Sequence, residues 1–262
     1  MLEDSGYYCV DNLPAMLLPE VAQFLAGAGH ERVAVSVDAR SAALPALPEH
    51  LAALRAKGVE CRVLFLEATS SVLLRRFSET RRRHPLAGAG LTLAEAIESE
   101  RALLAGVAAL AHRMDTSDLQ PRMLRNWIKD LLAVGTEALT LTFESFAFRD
   151  GIPLDADWVV DARMLPNPHY APELRELTGR DAAVARYLEA EQEVGRFFED
   201  VRAFLARWLP AIARESRSYV TVAIGCTGGR HRSVYLAERL AAAFRPQWQV
   251  LVRHRALGAE TA

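Results

Sequence analysis

The stretch Val220–Phe244, "VTVAIGCTGGRHRSVYLAERLAAAF", decides the fold of the C-terminal half of this chain. Its first part, "VTVAIGC", is apolar and β-branched, which suits a buried strand. Its last part places Val234, Ala237, Leu240, Ala241 and Phe244 at helical spacing. The loop between them carries Gly228 and Gly229. Strand, tight loop and helix in that order aim backbone N–H groups and the positive end of the helix dipole at one point. The glycines let the backbone curl into a nest for an anion. Arg232 offers a guanidinium fork for phosphate oxygens, and His231 and Ser233 add donors.

The same loop admits three readings. The spacing from Cys226 to Arg232 and Ser233 fits Cys-x5-Arg-Ser, the phosphate loop of cysteine-dependent phosphatases. There the N–H groups and the arginine lower the thiol pKa, and the thiolate attacks phosphorus. The loop equally suits non-covalent binding of a phosphate or phosphosugar. A structural turn around a buried, inert cysteine is the third reading.

Working outward, "VVDARMLPNPHY" (159–170) places Asp161 at the end of an apolar strand. Pro166 and Pro168 stiffen the loop that carries His169. This Asp and His suit the amine or hydroxyls of a sugar, or a general acid. They also suit a turn-capping Asp and a surface His. "ALTLTFESFAF" predicts another strand, "RDGIP" a turn, and the region from Asp181 to Ala213 is helical.

Towards the N-terminus, "RVAVSVDAR" and "CRVLFLEAT" read as buried strands. Helical stretches precede both, "LLPEVAQFLAGAG" and "LPEHLAALRAKG". That alternation predicts an α/β fold with a parallel sheet. Ligands on such sheets sit at the carboxyl ends of the strands, where Asp38 and Glu67 fall. Thr92, with Glu95 three residues on, predicts a capping box. Arg75, Arg76, Arg81, Arg82 and Arg83 form a cluster that suits phosphate clamping or a solvated helix face. A break at "AVGTEAL" divides the chain into domains at 1–133 and 134–262.

The chain has 262 residues, of which 51% are hydrophobic and 24% charged, the balance of a folded protein. A net charge of −2 excludes a generic polyanion binder and leaves only local basic patches for nucleic acid. Three cysteines, Cys9, Cys61 and Cys226, argue against a disulfide framework and for a reducing cytoplasm. The opening "MLEDSGYYCV" does not read as a secretory signal, and no apolar run reads as a membrane span.

Several separate stretches, in order, resemble the RapZ family of bacterial P-loop nucleotide-binding proteins, also called RNase adapter proteins. They are "GYYCVDNLP", "VSVDAR", "RRFSETRRRHPL", "FESFAFRDGIP", "DADWVVDARMLPNPHY", "LTG" (177–179) and "SYVTVAIGCTGGRHRSVY". The resemblance implies an N-terminal domain similar to P-loop kinases that binds ATP or GTP. It implies a C-terminal α/β domain that binds glucosamine-6-phosphate. It also implies a homo-oligomer that presents a small regulatory RNA to an endoribonuclease and so controls amino-sugar synthesis.

Carried over by residue, the family's nucleotide-associated tetrad Asp-x-Arg-Asn falls on Asp38, Ala39, Arg40 and Ser41, with Ser in place of Asn. The sugar-phosphate pocket falls on Asp161, His169, Cys226, Thr227, Gly228, His231 and Arg232, with Gly229 and Ser233 completing the loop. No catalytic residue and no metal ligand is assigned.

Two departures stand out. The family begins with a strand and a Walker A loop that cradles phosphates, and this sequence shows no such motif. Its opening corresponds to the helix after that loop and the turn beyond, so about twenty residues of the family pattern are missing. A misassigned start is the expected cause, and weak nucleotide binding, with any ATPase or GTPase activity confined to a longer form, the expected consequence. The RNA-adapter branch also ends in a basic tail, which here shrinks to Arg253, His254 and Arg255. Fewer tail charges release fewer counterions, so weak RNA contacts through Arg253 and Arg255 are expected.

Overall fold

The computed structural model describes residues 2–37, 41, 44–80, 84–86, 90–133, 139–214 and 219–257. It divides into two compact units, Met1–Ser117 and Asp118–Ala262. Both are α/β with parallel strands.

In the first unit, β1 (Tyr8–Val10) pairs with β2 (Val33–Val35), and β3 (Leu64–Glu67) pairs with β4 (His112–Asp115), both in parallel. Parallel neighbours need a crossover, and helices supply it. Helix α1 (Leu18–Gly27) joins β1 to β2, and α2 (Leu47–Ala56) joins β2 to β3. Both α1 and α2 carry proline in their first turn, where no backbone N–H is needed. Helices α3 (Ser70–Thr80) and α4 (Leu93–Ala108) lie between β3 and β4. Leu13, Leu18, Leu47, Leu51, Leu54 and Val107 form the core. The predicted capping box is present on α4: Glu95 N donates to Thr92 Oγ1 at 3.3 Å, and Thr92 N to Glu95 Oε2 at 2.8 Å.

The two strands anticipated here are present, though short. Strand β1 arises where the resemblance implied only a helix and a turn. Strand β4, "HRMD", carries two buried polar residues, so no apolar run announces it.

The second unit holds a four-stranded parallel sheet in the order β6-β7-β5-β8. Its strands are β5 (Thr140–Ala147), β6 (Trp158–Asp161), β7 (Tyr219–Cys226) and β8 (Gln249–His254). Helix α5 (Pro121–Ala133) lies in this unit, followed by α6 (Ala182–Glu189), α7 (Gln192–Arg214) and α8 (Arg232–Phe244). Every residue of β5 is buried, and β7 is nearly so, as central strands covered on both faces must be. Phe143, Val222, Ile224, Leu236, Leu240 and Phe244 join sheet and α8 in one core. Among the described residues no helix is long and apolar enough to cross a membrane.

The centre of this sheet also buries charge. Glu144 of β5 pairs in register with Arg253 of β8. Arg255 Nη1 donates to Glu144 Oε1 at 3.1 Å. The Arg253 guanidinium lies 4.7 Å from the centre of the Trp127 ring. Arg253 is only 3% exposed, and the side chain of Arg255 only 7%. Both arginines, expected from sequence to meet RNA, turn their guanidinium groups inward, Arg253 to Trp127 and Arg255 to Glu144.

Burial, reinforced by the negative charge of Asp155, pushes the Glu144 carboxyl up to about 8 against the pull of Arg255 and Arg253. A group raised on folding contributes stability that is full below its unfolded value and is lost as pH rises through the folded one. Unfolding free energy should therefore fall between about pH 4.5 and 8 with a slope approaching 1.4 kcal/mol per pH unit from this residue. Denaturant titrations across that range should show the slope in the native protein and its loss in Glu144→Gln.

Candidate functional site

Three strands of the second unit end at one level. Cys226, the last residue of β7, pairs with Ala147, the last of β5, and Gly225 pairs with Asp161, the last of β6. Residues 227–231 connect β7 to α8, which begins at Arg232. The strand–loop–helix reading of this segment therefore holds.

The two loop glycines differ. Gly229 has φ +65°, and a Cβ there would stand 2.7 Å from Ala256 Cβ and 2.9 Å from Ala147 N. Only glycine fits both the backbone and the space. A Cβ built on Gly228 would meet no atom within 4 Å, so space lies on that side of the loop. Gly225 was not singled out from sequence. A side chain there would collide with the rings of Phe146 and Phe148.

Arg232 is 4% exposed. Its Nη1 donates to the carbonyls of Arg163 at 2.8 Å and Leu165 at 2.9 Å, and its Nη2 to Thr227 Oγ1 at 3.3 Å. These bonds tie α8 to the loop that follows β6. They also occupy part of the fork that the sequence assigned to a ligand. Arg232 Nε is buried and has no hydrogen-bond partner. An unsatisfied cationic donor costs on the order of 1–3 kcal/mol, which an arriving anion recovers.

Cys226 is 2% exposed, with Sγ 3.2 Å from Ser233 Oγ. Burial pushes its thiol up. The Ser233 hydroxyl and N–H, the Arg232 charge and the Gly229 N–H together outweigh that and hold it below the ordinary thiol value. The loop thus stabilises negative charge at its centre, whether on sulfur or on a ligand.

Asp161 is held by Arg163, whose Nη2 reaches Oδ2 at 2.7 Å and whose Nε reaches Oδ1 at 3.0 Å. Those bonds, with help from Arg232, keep its carboxyl below the usual range. An Asp held ionised carries no proton for general-acid work at neutral pH. Arg163 in turn stacks on Phe148, 3.9 Å from the ring centre.

His169 is exposed, its ring 6.5 Å from that of His231. The His231 Nε2–H donates to the Leu174 carbonyl at 3.1 Å. Burial, the largest influence on His231, pushes its pKa down. His231 therefore stays neutral near pH 7 and serves to fasten the loop. Thr227 is exposed at the loop's mouth, and Ser233 is fully buried beneath it.

The first unit holds the other predicted group. Asp38, Ala39 and Arg40 lie outside the described residues. Ser41 Oγ accepts a hydrogen bond from Ala15 N at 2.5 Å. Within the arginine cluster, Arg76 turns to Thr116, donating to its carbonyl at 2.7 Å, and Arg75 lies 3.9 Å from Glu79 across one helical turn. Arg81, Arg82 and Arg83 lie outside the described residues.

One segment gained a role only from the structure. Gly179 N donates to the Arg230 carbonyl at 2.9 Å, and Arg230 Nε to the Leu177 carbonyl at 3.0 Å. A Cβ on Gly179 would overlap the His231 carbonyl and the Tyr235 N–H. In the sequence this glycine stood out only within "LTG" (177–179), a stretch short enough to carry no structural role by itself. Because both obstacles are backbone, Gly179→Ala should cost about 1–3 kcal/mol, read as a lower denaturant midpoint with an unchanged slope.

Comparison with known proteins agrees across the chain. A model of the RapZ-like N-terminal domain matches residues 1–136, and a model of the RapZ C-terminal domain matches residues 139–258. A nucleotide-binding protein of Aromatoleum aromaticum is 58% identical over 257 residues, covering 97% of this chain and 88% of its own. One from Thiobacillus denitrificans is 57% identical over 258 residues, covering 98% and 93%. One from Methylobacillus flagellatus is 55% identical, covering 98% and 92%.

Proposed function

The chain belongs to the RapZ family of nucleotide-binding proteins, and from that membership we propose that its second unit is a sensor for a phosphorylated amino sugar, glucosamine-6-phosphate. The observation that carries this reading is Arg232 Nε, a buried cationic donor without a partner beside a glycine nest and a helix N-terminus. In this reading the loop N–H groups of residues 227–231 and Arg232 hold the phosphate. Asp161, kept ionised, faces the ammonium group, and the exposed His169 contacts hydroxyls. Charge of both signs at one sheet end matches a zwitterionic phosphosugar better than inorganic phosphate.

Nucleotide binding comes to this chain from the names of its relatives, and ATP or GTP is the proposed nucleotide. In the described part of the first unit, the residues after β1, β3 and β4 are Asp11–Pro14, Ala68–Thr69 and Thr116–Ser117. None is the glycine-rich loop that cradles a triphosphate, so these residues do not fit that role. Assembly as a homo-oligomer in the cytoplasm, and handling of a small regulatory RNA with an endoribonuclease, belong to the same proposal. The RNA surface would then lie away from Arg253 and Arg255.

The phosphatase alternative draws on the lowered thiol of Cys226. It is opposed by the burial of that sulfur and by the ionised state of Asp161. A sensor binds and does not turn over.

Calorimetric titration with glucosamine-6-phosphate, against glucosamine and inorganic phosphate, tests the reading. The phosphosugar should bind at least tenfold more tightly than either part. Arg232→Lys should weaken it by about tenfold or more, because an ammonium cannot brace two carbonyls and still reach the ligand. Equal affinity for all three compounds would refute the sensor reading. Release of phosphate from an aryl phosphate, lost in Cys226→Ser, would put the phosphatase in its place.

A further inference from the structure

Behind the loop runs a chain of polar contacts outside the proposed pocket. Arg180 Nε donates to Glu238 Oε1 at 2.8 Å. His254 Nε2–H donates to the same oxygen at 3.1 Å. His254 Nδ1 stands 2.7 Å from Ser145 Oγ. Ser145 and His254 are buried, whereas Glu238 and Arg180 are partly open to solvent. The four residues come from the turn before α6, from α8, from β8 and from β5.

Each end of this chain is fixed to something that shapes the site. At the turn, Asp181 Oδ2 accepts from Thr178 N at 2.7 Å and from Thr178 Oγ1 at 2.9 Å. The same turn holds Gly179, which packs on the first turn of α8 and donates to the Arg230 carbonyl. At the sheet, Ser145 stands in β5 two residues before Ala147, the partner of Cys226. Helix α8 carries Arg232 and Ser233 at one end and Glu238 six residues on. Rotation or sliding of α8 would move Arg232 and break the contacts at Glu238 together.

We propose that Glu238 is a positioning residue for the anion site: through Arg180 it clamps the Thr178–Asp181 turn onto α8, and through His254 and Ser145 it anchors α8 to the sheet. Its reach to the ligand is indirect, through the placement of Arg232 and the loop N–H groups. The inference rests on the sensor reading of the same loop.

The test is a double-mutant cycle on glucosamine-6-phosphate affinity with Glu238→Gln, Arg180→Ala and the pair. Each single change should weaken binding by about fivefold, and the pair by little more than one alone. Arg180→Lys, which keeps a charged donor, should recover most of the affinity. Arg180 is partly exposed, so its variants keep the fold and leave the cycle readable even if Glu238→Gln loses stability. Affinity unchanged in both single variants, with wild type binding well, overturns the positioning role and leaves the sensor intact. Additive losses that Arg180→Lys does not restore also overturn it. Absence of binding by wild type itself overturns the sensor reading and this inference with it.

Discussion

The structure of the second unit turns on the guanidinium of Arg232. It is buried at the first residue of α8, where it holds two carbonyls of the loop after β6 and the hydroxyl of Thr227. Burying a cation is tolerable only when its donors are met. Two carbonyls and a hydroxyl meet much of the demand, and Nε is left without a partner. One side chain thus sets the spacing between the loop bearing Asp161 and the loop bearing Cys226. In the proposed sensor, an anion would complete the site.

Glycine makes that placement possible. At Gly229 the backbone takes a left-handed turn hard against Ala147 and Ala256. At Gly179 a second turn presses on the His231 carbonyl. At Gly179 the nearest neighbours are backbone, and at Gly229 they are the Ala256 methyl and the backbone of Phe146 and Ala147, so the loop is held from two sides. The lowered thiol of Cys226 is a consequence of this frame: donors converge on a point where negative charge is wanted.

Much of this was legible in the sequence because it rests on local pattern. β5, β7 and α8 announce themselves as apolar runs and helical spacing, and the Thr92 capping box by a four-residue signature. Asp161, Cys226 and Arg232 were legible as strand-end and helix-start residues, and the structure brings their segments to one sheet end. What escaped depends on tertiary partners. Strand β4 is polar in three of its four residues, and the end of β8 with Arg255 after it reads as a basic tail until Trp127 and Glu144 are seen to receive Arg253 and Arg255. Gly225 and Gly179 matter for what lies across space from them, namely two phenyl rings and a helix backbone. The fastening of the loop by His231 needs the Leu174 carbonyl, 57 residues away in sequence.

In the proposed sensor a ligand phosphate completes the hydrogen bonding of Arg232. The most direct measurement is the Nε–H resonance of Arg232 in 15N-labelled protein, assigned with Arg232→Lys, during titration with glucosamine-6-phosphate. A new hydrogen bond to an anion should move that proton downfield and slow its exchange with water, while glucosamine leaves it in place. A resonance that ignores the phosphosugar, in protein that binds it, would place the phosphate elsewhere and contradict this account.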